Sequence, residues 1–281
     1  MNETRPPALD RDAAARLIEP LTEIVIRAGD AILAVNRSAM TVEGKTDGSP
    51  VTEADLAADR IIAEGLARLV PKIPALSEER TQAAALPYRE SFFLIDPLDG
   101  TKEFVAGRNE FTVNLALVSE GTPLLGIISA PALGLIWRGV VGRGAERLTL
   151  GKEPGRDRPL VEPIRTRPCP TRGQPWTVAV SRSHGDARSE AFIAARPGAV
   201  RCELGSAVKL GRVAEGSVDI YPRLAPTSEW DIAAGHAVVV AAGGRVTDSS
   251  GAALQFGTGR NGFIVPEFIA WGDPNAATNA S

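Results

Sequence analysis

Residues 91–101 read SFFLIDPLDGT, an apolar run that ends in two aspartates, a glycine and a threonine. The first five residues of this run predict a buried β-strand, because short stretches rich in aromatic and branched residues favour strands. Asp96 and Asp99 follow three residues apart, across a turn that the intervening proline favours. Such a turn can direct both carboxylates and an intervening carbonyl into one small volume, which suits a hard divalent cation.

The residues after this turn suit a phosphate group. Gly100 lets the backbone approach a ligand closely. If a helix begins at Thr101, its free N–H groups and the positive end of its dipole face the same volume. Two cations about 4 Å apart, bridged by one carboxylate, could then activate water and stabilise the leaving oxygen. Taken alone, the stretch is equally consistent with a plain type I turn.

Two other segments carry acidic residues, LSEER at residues 76–80 and WDIAAG at residues 230–235. Alone, the pair Glu78 and Glu79 is typical of a solvated loop, and Asp231 is typical of a helix N-cap. Together with the turn, they offer carboxylates from three separate segments. The chain has only two histidines and two cysteines, outside any CxxC spacing, so oxygen atoms would be the main metal ligands. Mg²⁺, Ca²⁺ or Mn²⁺ is the expected metal.

The composition predicts a folded protein with a sizeable core. The chain has 281 residues, 44% of them apolar, and a formal net charge of −3. That charge gives no reason to expect a nucleic-acid duplex as partner. The N-terminus has no pattern of a signal peptide, and the most apolar stretch, residues 232–242, is too short to span a bilayer. We expect a cytoplasmic protein, with peripheral attachment to a membrane left open.

The chain reads as a mixture of helices and strands. Residues 9–35 have helical spacing, with Pro20 as a point of kinking or division. Thr52 is the predicted N-cap of a helix over residues 53–69, with Asp55 in a capping-box position. Strands are predicted over residues 91–95, 111–119, 124–130, 135–141, 177–181, 218–222, 244–248 and 262–265, and further helices over residues 190–196, 206–215 and 231–242.

Residues 151–175 contain six prolines and few apolar residues. Such a composition predicts an irregular connection between two halves. We therefore expect an N-terminal half over residues 1–160, with most of the metal ligands. The C-terminal half, residues 161–281, would carry the last metal ligand and the substrate contacts.

The combination of DPLDGT with a distant WDIAAG resembles the inositol monophosphatase superfamily of lithium-sensitive, Mg²⁺-dependent phosphatases. The resemblance covers most of the chain, from the first helix to about residue 265. It implies an α+β fold, a layered α/β/α/β/α sandwich of the inositol monophosphatase and fructose-1,6-bisphosphatase type. It also implies hydrolysis of a phosphate monoester by metal-activated water with two or three Mg²⁺ ions, and inhibition by Li⁺.

The resemblance implies a role for each matching residue. The expected metal ligands are the carboxylates of Glu78, Asp96, Asp99 and Asp231 and the carbonyl of Leu98, with Asp96 bridging two ions. Thr101 would polarise the attacking water together with Asp47. The alternative for Asp47 is a surface turn. It lies, however, in the pattern K-x-D-x-SPVT-x-A-D that ends at Asp55, which also resembles the family.

Details of the sequence are most similar to the CysQ-type 3′(2′),5′-bisphosphate nucleotidases, which convert 3′-phosphoadenosine 5′-phosphate to AMP and phosphate. Four short matches carry this similarity, namely KEF at residues 102–104, VSRSH at 180–184, GSAVK at 205–209 and YPR at 221–223. The expected substrate contacts are Gly100, Thr101, Ser181, Ser206, Lys209 and Arg223. Inositol monophosphatases place a sugar-binding glutamate seven residues before the last aspartate, where this chain has Leu224.

Lys209 and Arg223 offer cationic partners for a second phosphate. The alternatives are a solvated helix residue for Lys209, a charge at a strand end for Arg223 and a simple N-cap for Ser206. We expect His184 in a loop near the nucleotide and a structural role for His236.

Two other functions stay open. One is an inositol or other sugar monophosphatase with the same metals, and the other is a non-catalytic binding or regulatory protein on the same fold. Loss of a metal-binding carboxylate would have indicated the latter, and none is missing. A homodimer is one option for the oligomeric state.

Overall fold

The structure, a computed structural model, describes residues 8–37, 42–44, 50–83, 90–151, 158–258 and 262–276. The helices are α1 (Arg11–Ala34), α2 (Glu53–Leu69), α3 (Thr101–Val105), α4 (Ala187–Ala194), α5 (Val208–Ala214) and α6 (Glu229–Ala241). The strands before residue 165 are β1 (Val42–Gly44), β2 (Pro50–Thr52), β3 (Ala75–Ser77), β4 (Ser91–Asp99), β5 (Thr112–Ser119), β6 (Thr122–Ala130), β7 (Leu135–Val140), β8 (Gly144–Thr149) and β9 (Leu160–Ile164). Those after it are β10 (Thr177–Ser181), β11 (Val200–Leu204), β12 (Ile220–Arg223), β13 (Thr227–Ser228), β14 (Arg245–Thr247), β15 (Ile264–Val265) and β16 (Phe268–Trp271).

Two β-sheets form the framework. The larger has seven strands in the sequence order β3 to β9, with β3 parallel to β4 and each later neighbour antiparallel. The smaller has five strands in the order β11-β10-β12-β16-β14. Strand β4 is buried along almost its whole length, which explains its continuous apolar run, because both of its faces are covered.

Helices cover both faces of each sheet. Apolar residues of α1 and α2 form one core with the larger sheet, and those of α5 and α6 form a second core between the two sheets. A third, smaller cluster joins α4 to the outer face of the five-stranded sheet. The order of layers is therefore α/β/α/β/α, which confirms the predicted fold.

The apolar stretch at residues 232–242 belongs to the centre of this sandwich. Helix α6 buries ten of its thirteen residues, as expected of a helix that is apolar on all sides. Gly235 lets it approach α5, because a Cβ there would overlap the side chain of Leu210. Among the helices that the structure describes, none has the length and apolar character that crossing a membrane requires.

Local sequence signals define the first two helices. Asp10 caps α1, accepting the N–H of Ala13 at 2.8 Å, and Pro20 lies inside a helix that continues to residue 34. The capping box of α2 is present as predicted, with Thr52 at the N-cap and Asp55 at the third position. Such caps satisfy N–H groups that have no partner within the helix.

The prediction of an irregular connection over residues 151–175 is wrong in part. This region contains β9, which pairs with β8 and forms the last strand of the larger sheet. A proline is acceptable in β9 because an edge strand needs hydrogen bonds on one side only. Strands β3, β8, β11 and β16 were also not predicted. They are three to six residues long and show weak alternation, so pairing with neighbours determines them more than local pattern.

Candidate active site

The turn after residue 95 is part of strand β4. The strand continues to Asp99, and its register against β5 shifts between Asp96 and Asp99. Within this irregular segment the N–H of Leu98 donates to Oδ1 of Asp96 at 3.1 Å. Gly100 follows with φ of 88°, a conformation that favours glycine, and α3 begins at Thr101. A bulge of this kind redirects side chains, and here it brings both aspartates to one cavity.

Three carboxylates of the described residues form a close acidic group. Ligand atoms of Glu78, Asp96 and Asp231 all lie within 4.8 Å of one another. Glu78 directly follows β3, whose parallel pairing with β4 brings the two strand ends together, and Asp231 is the third residue of α6. Several carboxylate oxygens at this spacing fit a hard cation such as Mg²⁺.

Asp99 and the carbonyl of Leu98 line the same cavity. Oδ2 of Asp99 accepts the N–H of Ala207 at 2.7 Å and lies 3.3 Å from polar atoms of both Thr112 and Asn114. These contacts all use Oδ2, so Oδ1 is the oxygen through which Asp99 would bind a metal. All five predicted metal ligands therefore line one cavity.

The charges in this cluster favour a bound cation. Burial raises the pKa of Asp96 well above its ordinary value, and the neighbouring carboxylates Glu78, Asp99, Asp231 and Asp55 raise it further. Burial and the charge of Asp99 raise the pKa of Asp231 to about 7. Ionising these groups together costs free energy that a divalent cation would offset.

This cluster predicts that stabilisation by Mg²⁺ depends on pH. A carboxyl with a raised pKa in the folded state costs no stability below its unfolded pKa of about 4. The cost grows as the pH rises from about 4 towards 7, the value for Asp231. We expect Mg²⁺ to raise Tm more at pH 8 than at pH 5, measured by calorimetry against EDTA with Na⁺ at equal ionic strength. An equal shift at both pH values would contradict this assignment of charge.

Thr101 contacts Asp55. The hydroxyl of Thr101 lies 3.1 Å from Oδ1 of Asp55 and 3.0 Å from the carbonyl oxygen of Leu98. The other carboxylate oxygen of Asp55 accepts the N–H and hydroxyl of Thr52, both at 2.7 Å. The residue predicted to act with Thr101, Asp47, lies outside the described residues. The sequence placed Asp55 in a capping box, and nothing local in that pattern indicates its second contact with Thr101.

A second carboxylate of α2 holds the segment around Glu78. Asp59 accepts the hydroxyl of Ser77 at 2.6 Å and forms two bonds with the guanidinium of Arg80, at 2.8 and 3.1 Å. Ser77 and Arg80 flank Glu78, so this pair of contacts orients the chain on both sides of a predicted metal ligand. Sequence analysis did not identify Asp59, because only the fold brings α2 against this segment.

A cavity of about 220 Å³ joins the acidic cluster to residues of the C-terminal half. The predicted substrate contacts line it together, namely Gly100, Thr101, Ser181, Ser206, Lys209 and Arg223. His184 also lines it, and partial shielding from water together with the nearby cations Arg223, Lys102 and Lys209 lowers the pKa of that imidazole. His236 instead lies buried in α6 with its ring edge-on to Phe256.

Lys209 is buried rather than solvated. Only 3% of it is exposed, and its ammonium donates to the carbonyl oxygen of Ser206 at 2.6 Å and lies 3.3 Å from that of Leu204. Among the described residues, carbonyl oxygens rather than a carboxylate contact the ammonium. Burial lowers its pKa to about 8, against the charges of Asp99, Glu110 and Glu103, which act in the opposite direction. A buried cation that lines a cavity is suited to an anionic ligand.

Ser206 and Arg223 also present polar atoms without partners. Among the described residues, Oγ of Ser206 and Nε of Arg223 are buried and make no hydrogen bond. Ser206 has φ of 42°, and α5 begins after Ala207, so the alternative that Ser206 is a simple N-cap is wrong. Buried polar groups normally have partners, and a ligand or water in this cavity would supply them.

Comparisons of the sequence and of the structure with known proteins agree on one family. Residues 14–278 match the sequence model of the inositol monophosphatase family. The chain is 40% identical to the 3′(2′),5′-bisphosphate nucleotidase CysQ of Salmonella typhimurium and 38% identical to that of Escherichia coli K12, covering 90% of this chain and 98% of each relative. The crystal structure of CysQ from Bacteroides thetaiotaomicron superposes with a TM-score of 0.76 at 30% identity, covering 91% of this chain and 97% of that one.

Proposed function

The chain belongs to the inositol monophosphatase family, and on that premise we propose that it is a Mg²⁺-dependent 3′(2′),5′-bisphosphate nucleotidase. It hydrolyses the 3′-phosphate of 3′-phosphoadenosine 5′-phosphate to give AMP and inorganic phosphate. One observation supports this substrate above others: buried Lys209 lines the same cavity as the acidic cluster and has no carboxylate counter-ion among its described contacts. A substrate with two phosphates can bind one at the acidic cluster and the other beside Lys209.

Glu78, Asp96, Asp99, Asp231 and the carbonyl of Leu98 would hold the Mg²⁺, in two or three ions. Bound there, Mg²⁺ would make water a stronger nucleophile and stabilise the charge of the leaving oxygen. The hydroxyl of Thr101 lies within hydrogen-bond distance of Asp55 and of the carbonyl oxygen of Leu98. If that carbonyl held a metal ion, the hydroxyl would donate its hydrogen bond to Asp55, and its oxygen would accept one from the attacking water. Asp55 thus orients Thr101 and can take up the proton.

This chain has a leucine at the position where inositol monophosphatases carry a sugar-binding glutamate. Leu224 packs in the apolar cluster beneath α4 and does not line the cavity. An apolar side chain makes no hydrogen bond to a sugar hydroxyl. A comparison of substrates tests the proposal directly. We expect Mg²⁺-dependent phosphate release to be faster from 3′-phosphoadenosine 5′-phosphate than from 3′-AMP or inositol 1-phosphate. A preference for inositol 1-phosphate would reject the nucleotidase, and no release from any of them would favour a non-catalytic protein.

Substitution of Lys209 tests the second phosphate site. Lys209→Met keeps most of the side-chain volume and removes the charge. A charge-assisted hydrogen bond is worth about 1.5–3 kcal/mol, so kcat/KM for the bisphosphate should fall roughly 10- to 150-fold. The loss for 3′-AMP should be much smaller, because a monophosphate never makes this contact. Lys72→Met, at an exposed lysine after α2, is the matched control. Equal losses for both substrates would show that Lys209 does not bind the second phosphate.

A further inference from the structure

Two carboxylates of the N-terminal half bind loops of the C-terminal half beside the cavity. Glu103, in α3, accepts the hydroxyl of Ser183 and, at 2.6 Å, the guanidinium of Arg108. Glu110, just before β5, accepts the guanidinium of Arg182 and, at 2.8 Å, the N–H of Gly205. We call these contacts across the two halves, from Glu103 to Ser183 and from Glu110 to Arg182 and Gly205, the carboxylate bridge.

The backbones of the two halves meet at the same place. A Cβ on Gly205 would lie 2.5 Å from the carbonyl oxygen of Glu110, so only glycine fits there. A Cβ on Gly100 would lie 3.2 Å from Cβ of Ser206. Residues 99–111 and residues 204–207 are therefore in direct contact, and any shift of one against the other changes the width of the cavity between them.

The carboxylate of Glu103 is charged at neutral pH. Burial alone would raise its pKa, but hydrogen bonds from Arg108 and Ser183 and the charges of Arg108 and Arg182 outweigh burial and hold the pKa below its ordinary value. Its side chain is 4% exposed, whereas that of Arg108 is 49% exposed, so solvent reaches this ion pair from the arginine side only. A buried, charged acceptor forms strong and directional hydrogen bonds.

The two sides of the bridge are held with unequal strength. Phe104 anchors α3 in the core, fully buried and edge-on to Phe111 with ring centroids 5.2 Å apart. The loop at residues 181–185 contains no buried residue. The contacts of this loop are polar, including the hydrogen bond from the N–H of His184 to Oγ of Ser181 at 3.1 Å. Loss of the bridge would therefore move the 181–185 loop and leave α3, with Thr101, in place.

We propose that Glu103 and Glu110 are positioning residues that hold the 181–185 and 204–207 loops at a set distance from the acidic cluster. They thereby determine the preference for a substrate with two phosphates. The proposal rests on the proposed function, because Ser181, Ser206 and Lys209 are assigned to the nucleotide side of that substrate. Phosphate release from a monophosphate depends on the acidic cluster and Thr101 and does not need these loops to be at that distance.

Three variants test the bridge at different points, Glu103→Gln, Glu110→Gln and Ser183→Ala. Each is assayed with 3′-phosphoadenosine 5′-phosphate and with 3′-AMP at saturating Mg²⁺, and AMP binding is measured by calorimetry. We expect kcat/KM for the bisphosphate to fall about tenfold or more, mainly through KM, since a misplacement of about 1 Å can cost up to about 10²-fold. The value for 3′-AMP should stay within about threefold, and AMP should bind about tenfold more weakly.

Glu190→Gln is the matched control, because Glu190 pairs with Arg201 at 2.5 Å on the surface of the C-terminal half and does not line the cavity. Arg182→Lys should retain more of the preference than Arg182→Ala, since it keeps the charge beside Glu110. Ser183→Ala removes only a hydroxyl from an exposed residue, so it keeps the test valid if either glutamate variant fails to fold. The wild type could prefer the bisphosphate while the ratio of kcat/KM for the bisphosphate to that for 3′-AMP is unchanged in all variants. That result would overturn this inference and leave the proposed function intact. Absence of that preference in the wild type would overturn the proposed function, and the inference with it.

Discussion

Asp96→Asn is expected to abolish phosphate release and, at the same time, to stabilise the metal-free protein. Asp96 is 1% exposed and lies among Glu78, Asp99, Asp231 and Asp55, whose charges oppose its ionisation. A neutral amide ends that repulsion, and its oxygen can still accept the N–H of Leu98. Each kcal/mol of relief should raise Tm in EDTA by about 2–4 °C for a protein of this size.

The same change removes the carboxylate that would bridge two ions. Metal ions supply several kcal/mol of transition-state stabilisation, and each 1.4 kcal/mol is about tenfold in rate. We therefore expect kcat/KM to fall by about 10³-fold or more, and the rise of Tm with Mg²⁺ to be much reduced. Initial rates of phosphate release and calorimetry with and without Mg²⁺ measure both effects.

Glu162→Gln is the control for loss of a carboxylate that does not line the cavity. Glu162 lies on the edge strand β9 and forms a partly exposed ion pair with Arg147. The activity of this variant and its response to Mg²⁺ should match the wild type. Near wild-type activity of Asp96→Asn at saturating Mg²⁺ would reject the metal site. A lower Tm in EDTA for this variant would show that packing, rather than charge, dominates at residue 96.

The second large effect is expected at Thr101. Thr101→Ala removes the hydroxyl that contacts Asp55, so kcat should fall by the 10²–10⁴-fold that is roughly typical of general-base assistance. KM should change little, because the hydroxyl acts on the nucleophile rather than on bound substrate. Asp55→Asn should behave similarly, with a small additional loss of stability because the same carboxylate caps α2.

The double variant Asp55→Asn/Thr101→Ala should be no slower than the slower single variant, since two residues that act as one unit give non-additive effects. Asp47→Asn separates the two candidate partners of Thr101. If Asp55 is the partner, Asp47→Asn combined with Thr101→Ala should give the product of the two single effects. Additive losses for Asp55 and a non-additive result for Asp47 would show that Asp47, the partner expected from the sequence, acts with Thr101.

The acidic residues proposed to bind metal could be predicted because they lie in short, local sequence motifs. An apolar strand followed by DPLDGT specifies a strand end, a tight turn and a helix start, and each of these depends on residues next to one another. The capping box at Thr52 and Asp55 is local in the same sense, and α2 begins where it was predicted. The similarity of separated motifs to one family then predicted that three segments meet, which β3, β4 and α6 confirm.

Contacts between segments distant in the chain could not be predicted in this way. Asp55 contacts Thr101 46 positions away, Asp59 reaches Ser77, and Glu103 reaches Ser183 across 80 positions. No short-range pattern indicates such pairs. The sequence around a helical carboxylate is the same whether its hydrogen-bond partner is the end of its own helix, another loop or water.

The sequence by itself therefore determined helix starts, turns and many of the strands, since periodicity and turn residues act over a few residues at a time. Through its resemblance to one family it also predicted the layered fold, the carboxylates of the acidic cluster and the class of reaction. Only the tertiary structure decided the surroundings of each side chain. In the structure, Lys209 is buried against carbonyl oxygens and Ser206 has a left-handed backbone conformation. Part of the segment predicted as an irregular connection forms the edge strand β9. Burial, charge and partners depend on what the whole chain packs around a residue, and these quantities set its chemistry.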